Sequence, residues 1–189
     1  MNLIGHLETF LGQISAGSVG DETTPDGVQV AWFAPDAPFT GVTTMATVGL
    51  SRHHLTMSGE RGLHQELLMH LPVDDQPHNA AGLLFQVAGR LIDRGHGLHR
   101  GEVLGPHGRL FDRGEMTALY AAVPIYLADE FSVYETAAGA VVLTWLVPIT
   151  DDEATYIHAH GWRAFEDALV AEDPDLTDLL RPSLAAANA

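Results

Sequence analysis

The chain has 189 residues, with 25 acidic side chains against nine basic ones and a formal net charge of −16; all nine basic residues are arginine. Such an acidic surface argues against nucleic-acid binding, which rests on neutralising phosphates, and against docking on an anionic membrane; it suits solubility or a basic partner protein. There is no cysteine, so disulfides, thiolate catalysis and cysteine-type zinc sites are excluded, while 46% hydrophobic and 18% charged residues describe one ordinary globular domain.

The first residues, Met1 to His6, lack a positive segment followed by a long apolar one, so no signal peptide is expected, and no run approaches the ~18 apolar residues of a membrane helix. The expected location is the cytoplasm. Leu3, Leu7, Phe10, Leu11 and Ile14 fall at helical spacing and predict an amphipathic helix ending near Gly17. Ser18 to Gly27 reads as a loop, Val28 to Phe33 as a strand, and Ala34 to Phe39, with two prolines, as irregular chain.

Val42 to Val48 is threonine-rich and strand-like, and polar residues onward to Gly62 suggest an exposed loop. Leu63 to Leu71 predicts a strand ended by Pro72. Leu63, Gln65, Leu67, Met69 and Leu71 share one of its faces, and His64, Glu66, Leu68 and His70 the other. A helix follows, with Ala80, Leu83, Leu84, Val87, Ala88 and Leu91 inward and Gly95 closing it. Glu102 to Leu104 is a short strand candidate. Met116 to Leu127 reads as another strand, placed at an edge or bulge by Pro124.

The best-defined unit runs from Phe131 to Leu169. An alternating run, Phe131 to Glu135, reaches a turn at Thr136 to Gly139, and Ala140 to Val147 follows, apolar on both faces, as a central strand covered on both sides. Pro148 is expected to end that strand for want of an N–H. Thr150-Asp151-Asp152-Glu153 then has the capping-box pattern, and Ala154, Ile157, Gly161, Phe165 and Leu169 line one stripe of the helix it begins. A short helix is predicted at Pro174 to Leu180, and the tail Ala185 to Ala189 is expected to fray. Together these elements predict an α+β fold, a single domain over residues 1–189, with a mixed or antiparallel sheet flanked by helices.

No constellation forms an enzyme signature. His64, Glu66 and His70 point the same way, but a strand rise of ~3.3 Å per residue sets the two histidines about 20 Å apart, too far for one ion. His96, His99, His158 and His160 add no ligand spacing of a known metal motif. Ser51 in Gly49-Leu50-Ser51-Arg52-His53 has histidine where a nucleophile elbow needs its second glycine. Asp151, Asp152 and Glu153 sit in a helix's first turn, where the helix dipole favours acids. No catalytic residue, metal ligand set or cofactor is therefore expected.

The order of segments resembles the suppressor-of-fused-like domain family. Thr47-Val48-Gly49-Leu50-Ser51 after a strand is similar to that family's T-x-G-[LM]-S segment, and Glu66 to Pro72 to its next strand. Gly97 to Leu104 resembles its glycine-spaced element. Leu146 to Glu153, with Leu180-Arg181-Pro182-Ser183, resembles its strand-to-helix junction and arginine-bearing end. The likeness covers about residues 27–183. It implies a non-catalytic α+β binding domain. Animal members bind a short transcription-factor peptide as an added strand between two domains. Bacterial single-domain members are implied to be immunity or accessory proteins that neutralise a partner toxin in polymorphic toxin systems, and this short chain looks like that form. The alternatives are a metal-dependent hydrolase using His64 and Glu66, and a peptide-binding adaptor that adds a strand at the Pro124 edge. The binding face is expected around Ser51, Arg52, His53, His54 and Glu66, with Asp151, Asp152 and Glu153.

Overall fold

The longest strand, β9 (Gly139–Thr150), lies in the middle of the sheet for the reason its sequence suggests. Val141, Leu143, Trp145, Val147 and Ile149 face one apolar cluster, while Val142 and Leu146 face the other. In this computed structural model, which describes residues 2–57, 62–137 and 139–184, β9 runs parallel to β5 (Gly62–Pro72), with His64 opposite Val141 and Leu68 opposite Trp145. The other pairings are antiparallel. With β1 (Ile14–Ser18), β2 (Gln29–Phe33), β3 (Val42–Val48), β6 (Val103–Leu104) and β7 (Met116–Ala122), the order is β1-β2-β3-β5-β9-β7-β6. Two short strands lie off this path: β4 (Leu55–Thr56) pairs with β5, and β8 (Val133–Thr136) pairs with β9. The nine-stranded mixed sheet with flanking helices is the expected α+β class.

Strand β9 does not stop at Pro148, which pairs with Leu119 of β7. The Pro148 carbonyl accepts from Arg181 Nη2 at 3.2 Å. A residue's N–H and C=O leave a strand on the same side, so the missing donor also lies away from β7, where pairing with β5 has already ended at Trp145. Among the described residues, no strand on that side needs the absent N–H. Nor is the Pro124 segment an edge: β7 ends at Ala122 and is paired on both sides, by β9 and β6.

Helix α1 (Leu3–Leu11) ends earlier than its spacing suggests. Ile14 leaves the helix to pair with Phe33 in β1, and its N–H donates to Glu8. Helix α2 (Ala80–Arg94) covers one face of the sheet through Leu84, Phe85, Val87, Ala88 and Leu91, and Gly95 ends it in the left-handed conformation. Phe131 is not in a strand; it lies buried in the one-turn helix α3 (Asp129–Ser132), and extended chain begins at Val133. The predicted long helix after Thr150 is two, α4 (Asp151–His160) and α5 (Trp162–Glu172). They part at Gly161, whose φ of 87° no α-helix tolerates. Residues 174–180 form turns instead of a helix, because Asp175 accepts from the Thr177 N–H and Asp178 from the Leu180 N–H, bonds that compete with helical ones. The tail expected to fray lies outside the described residues.

Gly49 follows β3 with φ 112°, and a Cβ there would stand 2.2 Å from the Gly27 carbonyl oxygen. Gly49→Ala is therefore expected to cost about 2 kcal/mol or more, read as a lower urea midpoint with unchanged slope.

Candidate functional site

Glu66 reaches from β5 to the turn after β3 and is fully buried. Its Oε2 accepts from Thr47 Oγ1 at 2.6 Å and the Leu50 N–H at 3.2 Å. Its Oε1 accepts from the Gly49 N–H at 2.8 Å, the Ser51 N–H at 3.1 Å and Ser51 Oγ at 2.7 Å. Burial pushes the carboxyl above its ordinary range, against the opposing pull of the hydrogen bonds from Thr47, Ser51 and Gly49. Ser51 is a donor to this carboxylate, and its carbonyl lies 2.7 Å from His64 Nδ1. His53 Nε2 lies 2.9 Å from the Asp26 carbonyl, and Arg52 and His54 are exposed.

Glu153 is the second internal carboxylate. Thr150 and Glu153 complete the capping box, with the Thr150 N–H donating to Oε2 at 2.9 Å. Arg181 closes on the same carboxylate from the far end of the chain, Nη1 to Oε1 at 2.5 Å and Nη2 to Oε2 at 2.9 Å, and the Leu184 N–H adds a bond at 3.1 Å. Sequence spacing shows the cap but not this pairing; the one clue is an arginine set among Leu179, Pro182 and Leu184.

The eight residues expected to share one face are thus not one surface. Glu66 stands level with Leu143, whereas Thr150 is seven residues further along β9, roughly 20 Å at ~3.3 Å per residue. Glu66 and Glu153 cannot meet a partner directly, because both are buried with their oxygens already engaged. Ser51, Arg52, His53, His54, Asp151 and Asp152 are at least partly exposed. Among the described residues, no three histidine or acidic side chains are grouped to hold a metal ion.

What sequence reasoning missed is a cleft of about 680 Å³ beside α5. Trp145 of β9, His70 of β5, Tyr126 and Phe39 supply an aromatic wall, with Tyr126 and Trp145 edge to face at 4.7 Å between centroids and Phe39 against Tyr126 at 5.3 Å. Another part of the lining is set by Glu166, which accepts from Arg100 Nε at 3.0 Å, Arg100 Nη2 at 2.5 Å and Tyr120 Oη at 2.8 Å. Burial and this bond raise the Tyr120 phenol above its ordinary pKa, and Arg100 is raised by the same carboxylate. Phe39, Ile125 and Val170, exposed to 37%, 69% and 79%, line the opening, together with exposed Asp167, Asp173 and Asp175. These residues come from six separate stretches, so no local motif announces them.

His70 is bonded through Nδ1 to Thr44 Oγ1 at 2.7 Å and through Nε2 to the Tyr126 hydroxyl. Burial drops its pKa to about 3. The folded protein therefore binds this proton less readily than the unfolded chain. The contribution is complete above pH 6.5 and is lost as pH falls toward about 3. Urea unfolding between about pH 7 and pH 4 is expected to show wild type losing stability faster than His70→Gln, by up to roughly 1 kcal/mol per pH unit. Parallel pH profiles would rule this out.

The fold and cleft define a class: a single α+β domain with a mixed sheet and an open, aromatic-walled groove on one face. The family model for suppressor of fused protein (SUFU) matches residues 24–182, and the chain belongs to that family. The fold is similar to that of a protein from Neisseria gonorrhoeae FA 1090 described as a suppressor of fused homologue, with a TM-score of 0.75 and 19% identity over 95% of this chain and 93% of that one. It is also similar to a chain of the Sufu–Fu complex, with TM-score 0.72, 18% identity, and 98% and 91% coverage. Drosophila Suppressor of Fused matches with TM-score 0.70 and 18% identity over 98% of this chain, which spans about half (51%) of the Drosophila chain. No curated protein matches the sequence. Among the described residues, no helix is long and apolar enough to cross a membrane.

Proposed function

We propose that this chain is a non-catalytic protein-binding domain, acting in the cytoplasm as an immunity protein that binds and neutralises a partner toxin of a bacterial polymorphic toxin system. The observation that carries the binding reading is the cleft, where large apolar side chains stand exposed around a preformed groove. A structural neighbour found in a complex, Sufu with Fu, supports a protein partner. The toxin reading is supported by the net charge of −16, which favours a basic partner such as a nucleic-acid-cutting toxin. The exposed Ser51–His54 stretch and Asp151 and Asp152 offer further contacts outside the cleft.

The test is affinity capture of the tagged protein from its own host, followed by co-expression with each captured protein. Rescue of cells from a toxic captured partner supports the immunity reading. Capture of a harmless partner leaves binding and removes the toxin role. Steady turnover of a small substrate, abolished by one substitution, overturns both.

A further inference from the structure

Trp145 is buried to 8% exposure, lines the cleft, and its indole Nε1 finds no hydrogen-bond partner among the described residues. A buried donor without an acceptor is unusual in a folded chain. It stands among side chains that are themselves left over: Ile125, Val170 and Phe39 are apolar and exposed. The same opening carries Asp167, Asp173 and Asp175, none of which joins an ion pair among the described residues. Arg100, the one cation among the described residues of the wall, is already held by Glu166. The groove thus combines an apolar floor with a negative border, while the indole nitrogen itself stays enclosed.

We propose that the cleft receives a large apolar or aromatic side chain from an extended partner segment flanked by basic residues, the anchor packing against the Trp145 ring. This rests on the protein-binding reading and names the chemistry of the partner. The volume of about 680 Å³ falls within the ~300–1,000 Å³ of pockets that enclose a bound group. An aromatic anchor in such a pocket is the usual centre of a protein interface. The apolar border supplied by three separate segments extends contact beyond the pocket, as a peptide requires and a free amine does not. Arginine or lysine beside the anchor would meet Asp167, Asp173 and Asp175.

The test is selection of a random peptide display library on the wild-type protein, followed by titration of synthesised winners monitored through the Trp145 indole N–H resonance. Enriched peptides should carry one bulky apolar residue beside arginine or lysine, and the Trp145 resonance should move on binding. Ile125→Asp and Val170→Asp, exposed positions that should leave the melting temperature unchanged, should abolish binding. Asp167→Lys with Asp173→Lys should weaken it by about tenfold. The inference falls if no peptide is enriched, if the winners are acidic or lack an apolar anchor, or if they bind the Ile125→Asp and Val170→Asp proteins as tightly. It falls also if only small aromatic amines move the Trp145 resonance. A captured natural partner that binds the Val170→Asp protein undiminished would overturn the cleft assignment and leave the protein-binding reading intact. A wild-type protein that captures no partner counts against that broader reading instead.

Discussion

Glu66→Leu is expected to destabilise the fold by about 3–5 kcal/mol, near the limit for a single substitution. The leucine fills much of the space but accepts nothing. It orphans the N–H groups of Gly49, Leu50 and Ser51 and the hydroxyls of Thr47 and Ser51. Each buried donor left without an acceptor costs about 1–3 kcal/mol, and rearrangement of the turn recovers part of the sum. Thr47 cannot simply turn away, since its Oγ1 also accepts from the Leu67 N–H at 2.9 Å. Glu66→Gln keeps one acceptor oxygen and should lose less. Urea unfolding of the three proteins at neutral pH decides the matter: a loss below about 1 kcal/mol for Glu66→Leu would mean that the turn is held by something else.

Arg181→Met is the second large effect, again about 3–5 kcal/mol, because it strands the Glu153 carboxylate at 0% exposure with its strongest partner gone. The pair itself need not be strongly stabilising, since two charges removed from water forfeit much of their attraction. A double-mutant cycle separates these quantities. Once Glu153→Gln has removed the charge, adding Arg181→Met should cost much less than it does alone. Additive losses would show that Arg181 acts through packing. Residues 173–177 line the cleft and lead directly to Arg181. Hydrogen exchange in Arg181→Met should therefore rise first in that segment.

Most strands were legible from local pattern. Residues 42–48 are threonine-rich, 63–71 alternate, and 140–147 run apolar on both faces as a strand covered on both sides does; the capping box at Thr150 marks a helix start from four residues. The failures share a cause. Ile14 and Phe131 fit a helical and an alternating pattern respectively, and each was decided by what it met in space: Phe33 across the sheet for Ile14, burial in the core for Phe131. Pro148 and Gly161 have local rules that point to breaks, yet only the second breaks anything, because among the described residues no strand pairs with Pro148 on the side of its missing N–H.

The site was less legible than the fold. The residues Ser51, Arg52, His53, His54, Glu66, Asp151, Asp152 and Glu153 look functional in a list because they are polar and clustered along the chain. Two of them, Glu66 and Glu153, are internal fastenings. Local spacing settles which atoms a helix or turn can bond, since those partners lie within a few residues; the cap at Thr150 and the two faces of β5 needed nothing more. Partners distant in the chain meet only when the sheet order brings them together. Arg181 reached Glu153, five donors reached Glu66, and Phe39, Ile125, Trp145 and Val170 came to border one cleft by that route alone.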